Sequence, residues 1–256
     1  MTRELEKARA LKRRLRDAEV VLAAQIGLND PAVVEILGDA GFDVLVVDAE
    51  HAPHSPENMQ AMLQAGMAGD AVVLARPPRL DPDLIRLYLD IGSPGVLCPF
   101  IETREQAERL VSACRYPPAG ARGFGPRRAG RFGAAAADYF ESANDSVVCI
   151  PIIESAAAIE NIDEIVSVDG IDTVCIGPVD LSISLGAPMD YVSPAYVAAF
   201  ASVQEACVRH GKPMGTGAYS LEHARACRDQ GVQFLLTFGD DQGLRAAALS
   251  TVEALR

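Results

Sequence analysis

With 256 residues, 49% of them hydrophobic and 23% charged, the chain has the size of one α/β barrel and an ordinary globular composition, which excludes a disordered or fibrous polymer. Its 35 acidic and 23 basic side chains give a formal charge of −12, which would repel nucleic acid or an anionic membrane surface. The six cysteines lie far apart with no CxxC pair, which excludes a disulfide frame or zinc site and marks them as small core residues in a reducing compartment.

The chain opens with MTRELEKARALKRRLRDAE, charged throughout and without the apolar core of a leader, and no apolar run approaches the length of a membrane span. The expected location is cytoplasmic. Thr2 to Arg16 reads as an amphipathic helix ahead of the first strand, either a lid on the barrel bottom or an oligomer contact. After it, short β-rich runs alternate with segments of helical period, the signature of a parallel sheet with crossover helices. The strand runs are Val20 to Ile26, Phe42 to Val47, Ala71 to Ala75, Gly95 to Pro99, Val147 to Ile153, Thr173 to Ile176, Pro213 to Gly215 and Phe234 to Thr237. The helices between them are Pro31 to Ala40, Ser55 to Ala68, Asp83 to Ile91, Thr103 to Cys114, Ala156 to Ile165, Pro194 to His210, Leu221 to Asp229 and Gln242 to Leu255. Asp30 before Pro31 and Ser55 before Pro56 are helix-start signals, because proline's missing amide costs nothing at the first helical position. Only Tyr116 to Asn144, rich in Gly, Ala and Arg, lacks a clear pattern.

The spacing predicts a TIM (β/α)₈ barrel with an extra N-terminal helix: one domain over 1–256, with 1–19 as the extension. An open doubly wound sheet would carry a glycine-rich phosphate loop after its first strand, and that position reads QIGLNDP.

In such a barrel the loops after the strands form the working face. Asp48, Glu50, His51, Arg76, Glu154 and Asp180 all follow strands and are expected to converge on one mouth. Glu154 and Asp180, at two successive strand ends, suit an oxygen-coordinated divalent metal, Mg²⁺ or Mn²⁺. A 2-oxo acid can fill two open positions of such an ion. Each acid taken alone would more often cap the helix that follows it. Arg76, stiffened by Pro77 and Pro78, could meet developing enolate charge or make a structural ion pair. His51 is the natural proton acceptor, with Asp48 nearby or Asp90 farther off to orient it, and His54 is expected to be an ordinary surface histidine. The only lysines, Lys7, Lys12 and Lys212, follow no strand, which argues against Schiff-base chemistry. The arginine-rich loop RYPPAGARGFGPRRAGRFG could supply cations or amides to an anion, but is better explained as a flexible loop between subunits or over the barrel.

The segments GFDVLVVDAEHAP, LDIGSPGVLCPF, RYPPAGARG and GIDTVCIGPVDLSISLG resemble the signatures of the HpcH/HpaI aldolase family, from about the first strand to the sixth and beyond. The resemblance implies a class II metal-dependent aldolase that cleaves 4-hydroxy-2-oxo acids into pyruvate and an aldehyde. It implies His51 as catalytic base, Arg76 as transition-state stabiliser and Asp90 as the acid that raises the histidine's basicity, reaching it from a neighbouring chain. Glu154 and Asp180 would hold Mg²⁺, Mn²⁺ or Co²⁺, and the Gly177, Pro178, Val179 and Asp180 turn would bind the substrate carboxylate, partly through amides. A homohexamer built as a dimer of trimers is implied as well. Two departures stand out. Ile152 occupies the place of a substrate-binding glutamine, and there is no tryptophan, including near the first strand, where many relatives carry one. An enolate-forming decarboxylase or a lyase acting on a CoA thioester ranks lower for want of a basic CoA patch, and a non-catalytic binding barrel lower still, because His51, Arg76, Glu154 and Asp180 are intact.

Overall fold

The apolar runs become strands because both of their faces are buried: every residue of the second through sixth strands is shielded from solvent. The computed structural model describes all 256 residues. Its strands β1 (Val21–Ile26), β2 (Val44–Asp48), β3 (Val72–Arg76), β4 (Gly95–Cys98), β5 (Val148–Ile153), β6 (Val174–Ile176), β7 (Met214–Gly217) and β8 (Phe234–Gly239) form a closed barrel in sequence order. Neighbours are parallel throughout, and the closing pair sets Val21 beside Phe234.

Around this ring lie α1 (Arg3–Arg16), α2 (Pro31–Asp39), α3 (Pro56–Ala65), α4 (Pro82–Asp90), α5 (Arg104–Cys114), α6 (Ala136–Ser146), α7 (Ala156–Glu160), α8 (Ile162–Val166), α9 (Pro178–Ser184), α10 (Pro194–Arg209), α11 (Leu221–Asp229) and α12 (Asp240–Leu255). Asp30 and Ser55 cap α2 and α3 as their spacing predicts, accepting from the amides of Ala32 and Asn58. The predicted helix at 156–165 is split at Asn161, whose side chain donates to the Glu102 carbonyl at 2.9 Å and to the Ala157 carbonyl at 3.1 Å. The unpatterned stretch contains a 3₁₀ turn at Arg131–Gly133 and α6, which no side chain caps at its start.

The barrel interior is filled by inward side chains of successive strands, among them Val21, Val44, Val46, Leu74, Ile150 and Phe234. Ala8, Leu11 and Leu15 of α1 join that same cluster at helical spacing, so α1 is the lid on the N-terminal end of the barrel. Each buried leucine there contributes about 1.5–3 kcal/mol. Lys12 fixes the lid: its Nζ lies 2.9 Å from Asp172 Oδ1 and donates to the Asp145 carbonyl at 2.9 Å. With that end plugged, the open mouth is at the C-terminal ends of the strands. No helix is long and apolar enough to cross a membrane.

Candidate active site

A cavity of about 860 Å³ opens at the C-terminal mouth, and Asp48, His51, Arg76, Glu154, Gly177, Pro178, Val179 and Asp180 all line it. The parallel register sets Asp48, the last residue of β2, directly beside Arg76, the last of β3. Strand pairing thus brings the two charges together, and both are almost fully shielded from solvent.

Asp48 is the hub of this corner. Its Oδ1 accepts from the amides of Glu50 at 3.0 Å and His51 at 3.2 Å, and its Oδ2 accepts from Gln25 Nε2 at 2.6 Å. The carboxylate therefore orients the backbone of His51, whereas the imidazole is exposed and its Nε2 is 3.8 Å from Glu50 Oε1, beyond hydrogen-bond reach. The hydrogen bond between Asp48 and His51 thus runs through the backbone amide. Asp90 ends α4 outside the cavity, and its Oδ1 accepts from Arg122 at 2.7 Å. The helices run back from the mouth, so this carboxylate is at the far end from His51 of its own chain. His54 departs from the expected surface histidine: it is buried, and burial lowers its pKa against weaker opposing effects from the backbone of Ile26 and Gly27 and from Asp48 and Asp240.

Arg76 makes the ion pair that was one of its two readings. Its Nε donates to Glu50 Oε2 at 2.6 Å and lies 3.4 Å from Asp48 Oδ1. The pair immobilises the guanidinium and leaves Nη1 without a protein acceptor on a residue that faces the cavity.

Glu154 follows β5 and is buried. Its Oε1 accepts from the Phe100 amide at 2.8 Å, a bond aimed by a left-handed backbone at Phe100, φ +50°, which a side-chain-bearing residue rarely adopts. Its Oε2 accepts no hydrogen bond from the protein. A Cβ at position 177 would sit 2.6 Å from that oxygen, so only glycine permits the approach. Burial, reinforced by the charges of Glu50 and Asp180 and opposed by the Phe100 amide and Arg76, pushes the Glu154 carboxyl up to about 7. Below about pH 7 such a group retains a proton unless a cation replaces it. Asp180 lies in the first turn of α9, whose leading amides no side chain caps. No group of three or more His, Cys, Asp or Glu residues converges as a ready-made metal shell. Glu154 and Asp180 are a two-carboxylate, all-oxygen donor pair with a free Oε2, and this fits a hard divalent ion that keeps open positions.

None of the three lysines lines the cavity; Lys212, for instance, donates to the Ile171 carbonyl at 2.6 Å on the plugged side.

The profile of the HpcH/HpaI aldolase/citrate lyase family matches residues 25–245. The chain belongs to this family. The hydroxypyruvate/pyruvate aldolase of Deinococcus radiodurans is 40% identical over 231 residues, which are 90% of this chain and 83% of that one. The 5-keto-4-deoxy-D-glucarate aldolase of Klebsiella pneumoniae is 33% identical over 238 residues, 93% of each chain. The crystal structure of an HpcH/HpaI family protein from Burkholderia cenocepacia J2315 superimposes with a TM-score of 0.93 at 32% identity, covering 97% of this chain and 99% of that one.

Within this HpcH/HpaI barrel, Ile152 is buried on the cavity wall beside Cys175, so the wall is apolar there. Two residues with a part in the site were not singled out from the sequence. Gln25 is the one long polar side chain in the apolar run VLAAQI, and that interruption was the available signal. Asp240 is buried and accepts from the amides of Gly27 at 2.8 Å and Leu28 at 2.9 Å, joining the end of β8 to the loop after β1. Nothing local to residue 240 shows this partnership across the ring closure.

Proposed function

We propose that the protein is a class II aldolase that joins pyruvate, or a closely related 2-oxo acid, to an aldehyde and reverses the reaction. The observation that carries this reading is the free Oε2 of buried Glu154 facing one cavity with Asp180 and with the anchored guanidinium of Arg76. The aldolase names of the relatives agree with it. Glu154 and Asp180 would hold Mg²⁺, Mn²⁺ or Co²⁺, which when bound supplies a Lewis acid for the keto oxygen of the 2-oxo acid.

The chain's own groups divide the remaining work. The uncapped amides of Val179 and Asp180 suit the substrate carboxylate. Arg76 Nη1 is placed to stabilise the negative charge that develops on the keto oxygen when the C3–C4 bond of a 4-hydroxy-2-oxo acid breaks. The proton of the C4 hydroxyl leaves to His51, directly or through a water, and the aldehyde is released. Returning a proton to C3 completes pyruvate. Asp48 holds the His51 segment in place through its backbone. The exposed imidazole leaves room for a partner from another subunit, the setting in which Asp90 would act on it.

In D₂O with Mn²⁺ or Mg²⁺, the protein is expected to exchange the methyl protons of pyruvate. Chelator should stop the exchange, and borohydride should trap no covalent adduct. Exchange that continues undiminished in chelator would remove the metal from the scheme.

Association with further copies of the chain, as in a homohexamer, is supported by α12. Apart from Asp240 no residue of that helix is buried, and Leu244, Leu249, Val252 and Leu255 are exposed along it. Sedimentation is expected to give a hexamer for the native chain and smaller species for Leu249→Asp/Val252→Asp. A native monomer would rule the assembly out, together with any cross-subunit role for Asp90.

A further inference from the structure

We propose that the plugged end of the barrel carries a second ligand site, a cavity that takes an organic monoanion with an apolar body, such as an aryl-alkyl carboxylate. It opens on the side of the molecule away from the mouth and uses none of the residues assigned to the aldol chemistry.

The cavity has a volume of about 560 Å³, within the range of small-molecule sites. The start of α1, the end of α3 and the turn from α4 into β4 surround it, and the segment 128–134 closes its rim. Its charge is the reverse of the mouth's. Five carboxylates, Asp48, Glu154, Asp180, Asp240 and Asp241, line the mouth with Arg76 and His51, whereas here Arg3, Arg128 and Arg131 face a single acid, Glu4. In a chain of formal charge −12, three arginines around one pocket set a local field that favours an anion. Two of them are already engaged. Arg3 pairs with Asp70 at 3.3 Å, and Arg128 donates to the carbonyls of Ile91 at 2.9 Å and Leu63 at 3.3 Å. Burial lowers the pKa of Arg128 and the charge of Glu4 opposes that shift, which sets Glu4 against Arg128. Arg131 has no acceptor in the protein, so one cation is left over and a single negative charge matches it.

An independent observation on the cavity wall points the same way. Thr2 is 6% exposed, its hydroxyl neither caps α1 nor bonds to any other group, and the oxygen is not sealed away from the cavity. A hydroxyl held out of bulk solvent with no partner is satisfied only by what enters the cavity, and it can donate to a carboxylate. Beside it Leu5, Met67, Pro94 and Phe132 supply an apolar wall. Arg131 and Phe132 stand at the rim on consecutive left-handed residues, φ +52° and +55°, held by the bond from the Phe132 amide to the Arg127 carbonyl at 2.6 Å. A free cation and an aromatic ring are thus presented together. Gly92, at φ +113°, leaves room for Arg128 to cross the floor, because a Cβ there would collide with its Nη1. No histidine, cysteine or pair of acids lines the pocket, so it is built to bind and not to react.

The test titrates the native protein by calorimetry with 3-phenylpropionate, its neutral amide and inorganic phosphate, each with and without saturating Mn²⁺ and pyruvate. One phenylpropionate per chain is expected, with the same affinity in both conditions. The amide, which lacks the charge, and phosphate, which lacks the apolar body, should each bind at least about tenfold more weakly. Arg131→Glu changes an exposed residue that has no partner, so melting temperature and pyruvate exchange should match the native protein while phenylpropionate binding weakens at least about tenfold. Thr2→Val keeps the shape of the side chain and should weaken it by about threefold or more. Absence of binding by the native protein overturns the proposal, and so does an amide or a phosphate that binds as tightly as phenylpropionate. Displacement by pyruvate with Mn²⁺ would put the ligand in the mouth instead. Binding that Arg131→Glu and Thr2→Val both leave unchanged would place it elsewhere on the surface, and the assigned site would be wrong.

Discussion

Glu154→Gln is expected to raise the melting temperature of the metal-stripped protein at pH 8 while lowering aldol activity by about a thousandfold or more, the loss of several kcal/mol of charge stabilisation. The two effects share one cause. Burial and the nearby acids lift the Glu154 carboxyl from its ordinary 4.5 to about 7, so the folded chain holds this proton more tightly than the unfolded chain does. The folded state therefore carries no penalty below pH 4.5, loses stability as pH rises toward 7, and bears the full cost above that. For a gap of this size the cost is about 3 kcal/mol. Glutamine keeps the acceptor for the Phe100 amide but never ionises, so melting in chelator at pH 8 should rise by about 5–10 °C in a chain of this length. The difference should close by pH 5. With Mn²⁺ the order reverses, because only the native carboxylate gains from the cation. Metal affinity of the native protein should also weaken about tenfold per pH unit below 7, since the ion must displace a proton. A variant that melts lower than the native protein in chelator at pH 8 would show that the buried charge is already compensated by the protein and that no cation is needed there.

How much of this could be read from the sequence depended on whether the information was local. Strands β2 through β6 are buried along their whole length, the pattern a parallel barrel imposes on strands covered on both faces, so they were legible one at a time. Asp30 and Ser55 mark helix starts by a bond two or three residues long and were equally visible. The convergence of Asp48, Arg76, Glu154 and Asp180 followed from the rule that strand ends share one mouth. What stayed hidden was which acceptor each donor chooses. Nothing at Asp48 says that it will hold the backbone of His51 rather than the ring, and its other oxygen is filled by Gln25 from a different strand. His54 looks like a loop residue in sequence and is buried because the loop after β2 folds back beneath the mouth, beside the backbone of Ile26 and Gly27. Asp240 seals the ring between residues more than 200 positions apart, a pairing only closure creates. Helix α6 was missed for a different reason: its sequence, AADYFESANDS, starts without a capping side chain and follows a glycine-rich turn.

Arg76→Ala is expected to lose activity in two separable ways, and separating them decides what the arginine does. Removal strands the carboxylates of Glu50 and Asp48, which are 7% and 2% exposed at their side chains, and an uncompensated buried charge costs about 3–5 kcal/mol. The variant should therefore melt well below the native protein. Removal also takes away Nη1, the donor with no partner in the protein, and loss of one preorganised donor to developing oxyanion charge lowers kcat by about 100- to 1000-fold. The double variant Arg76→Ala/Glu50→Gln removes the stranded Glu50 charge and should recover most of the melting temperature. Pyruvate exchange and aldol cleavage should stay low in it, with the KM for pyruvate changing less than kcat. Arg76→Lys keeps the charge but not the fork that grips Glu50 and reaches the cavity at once, so it should be more stable than Arg76→Ala and nearly as slow. If activity returns with stability in the double variant, the arginine is only a brace for Glu50 and Asp48, and the charge that develops on the keto oxygen must be met without it.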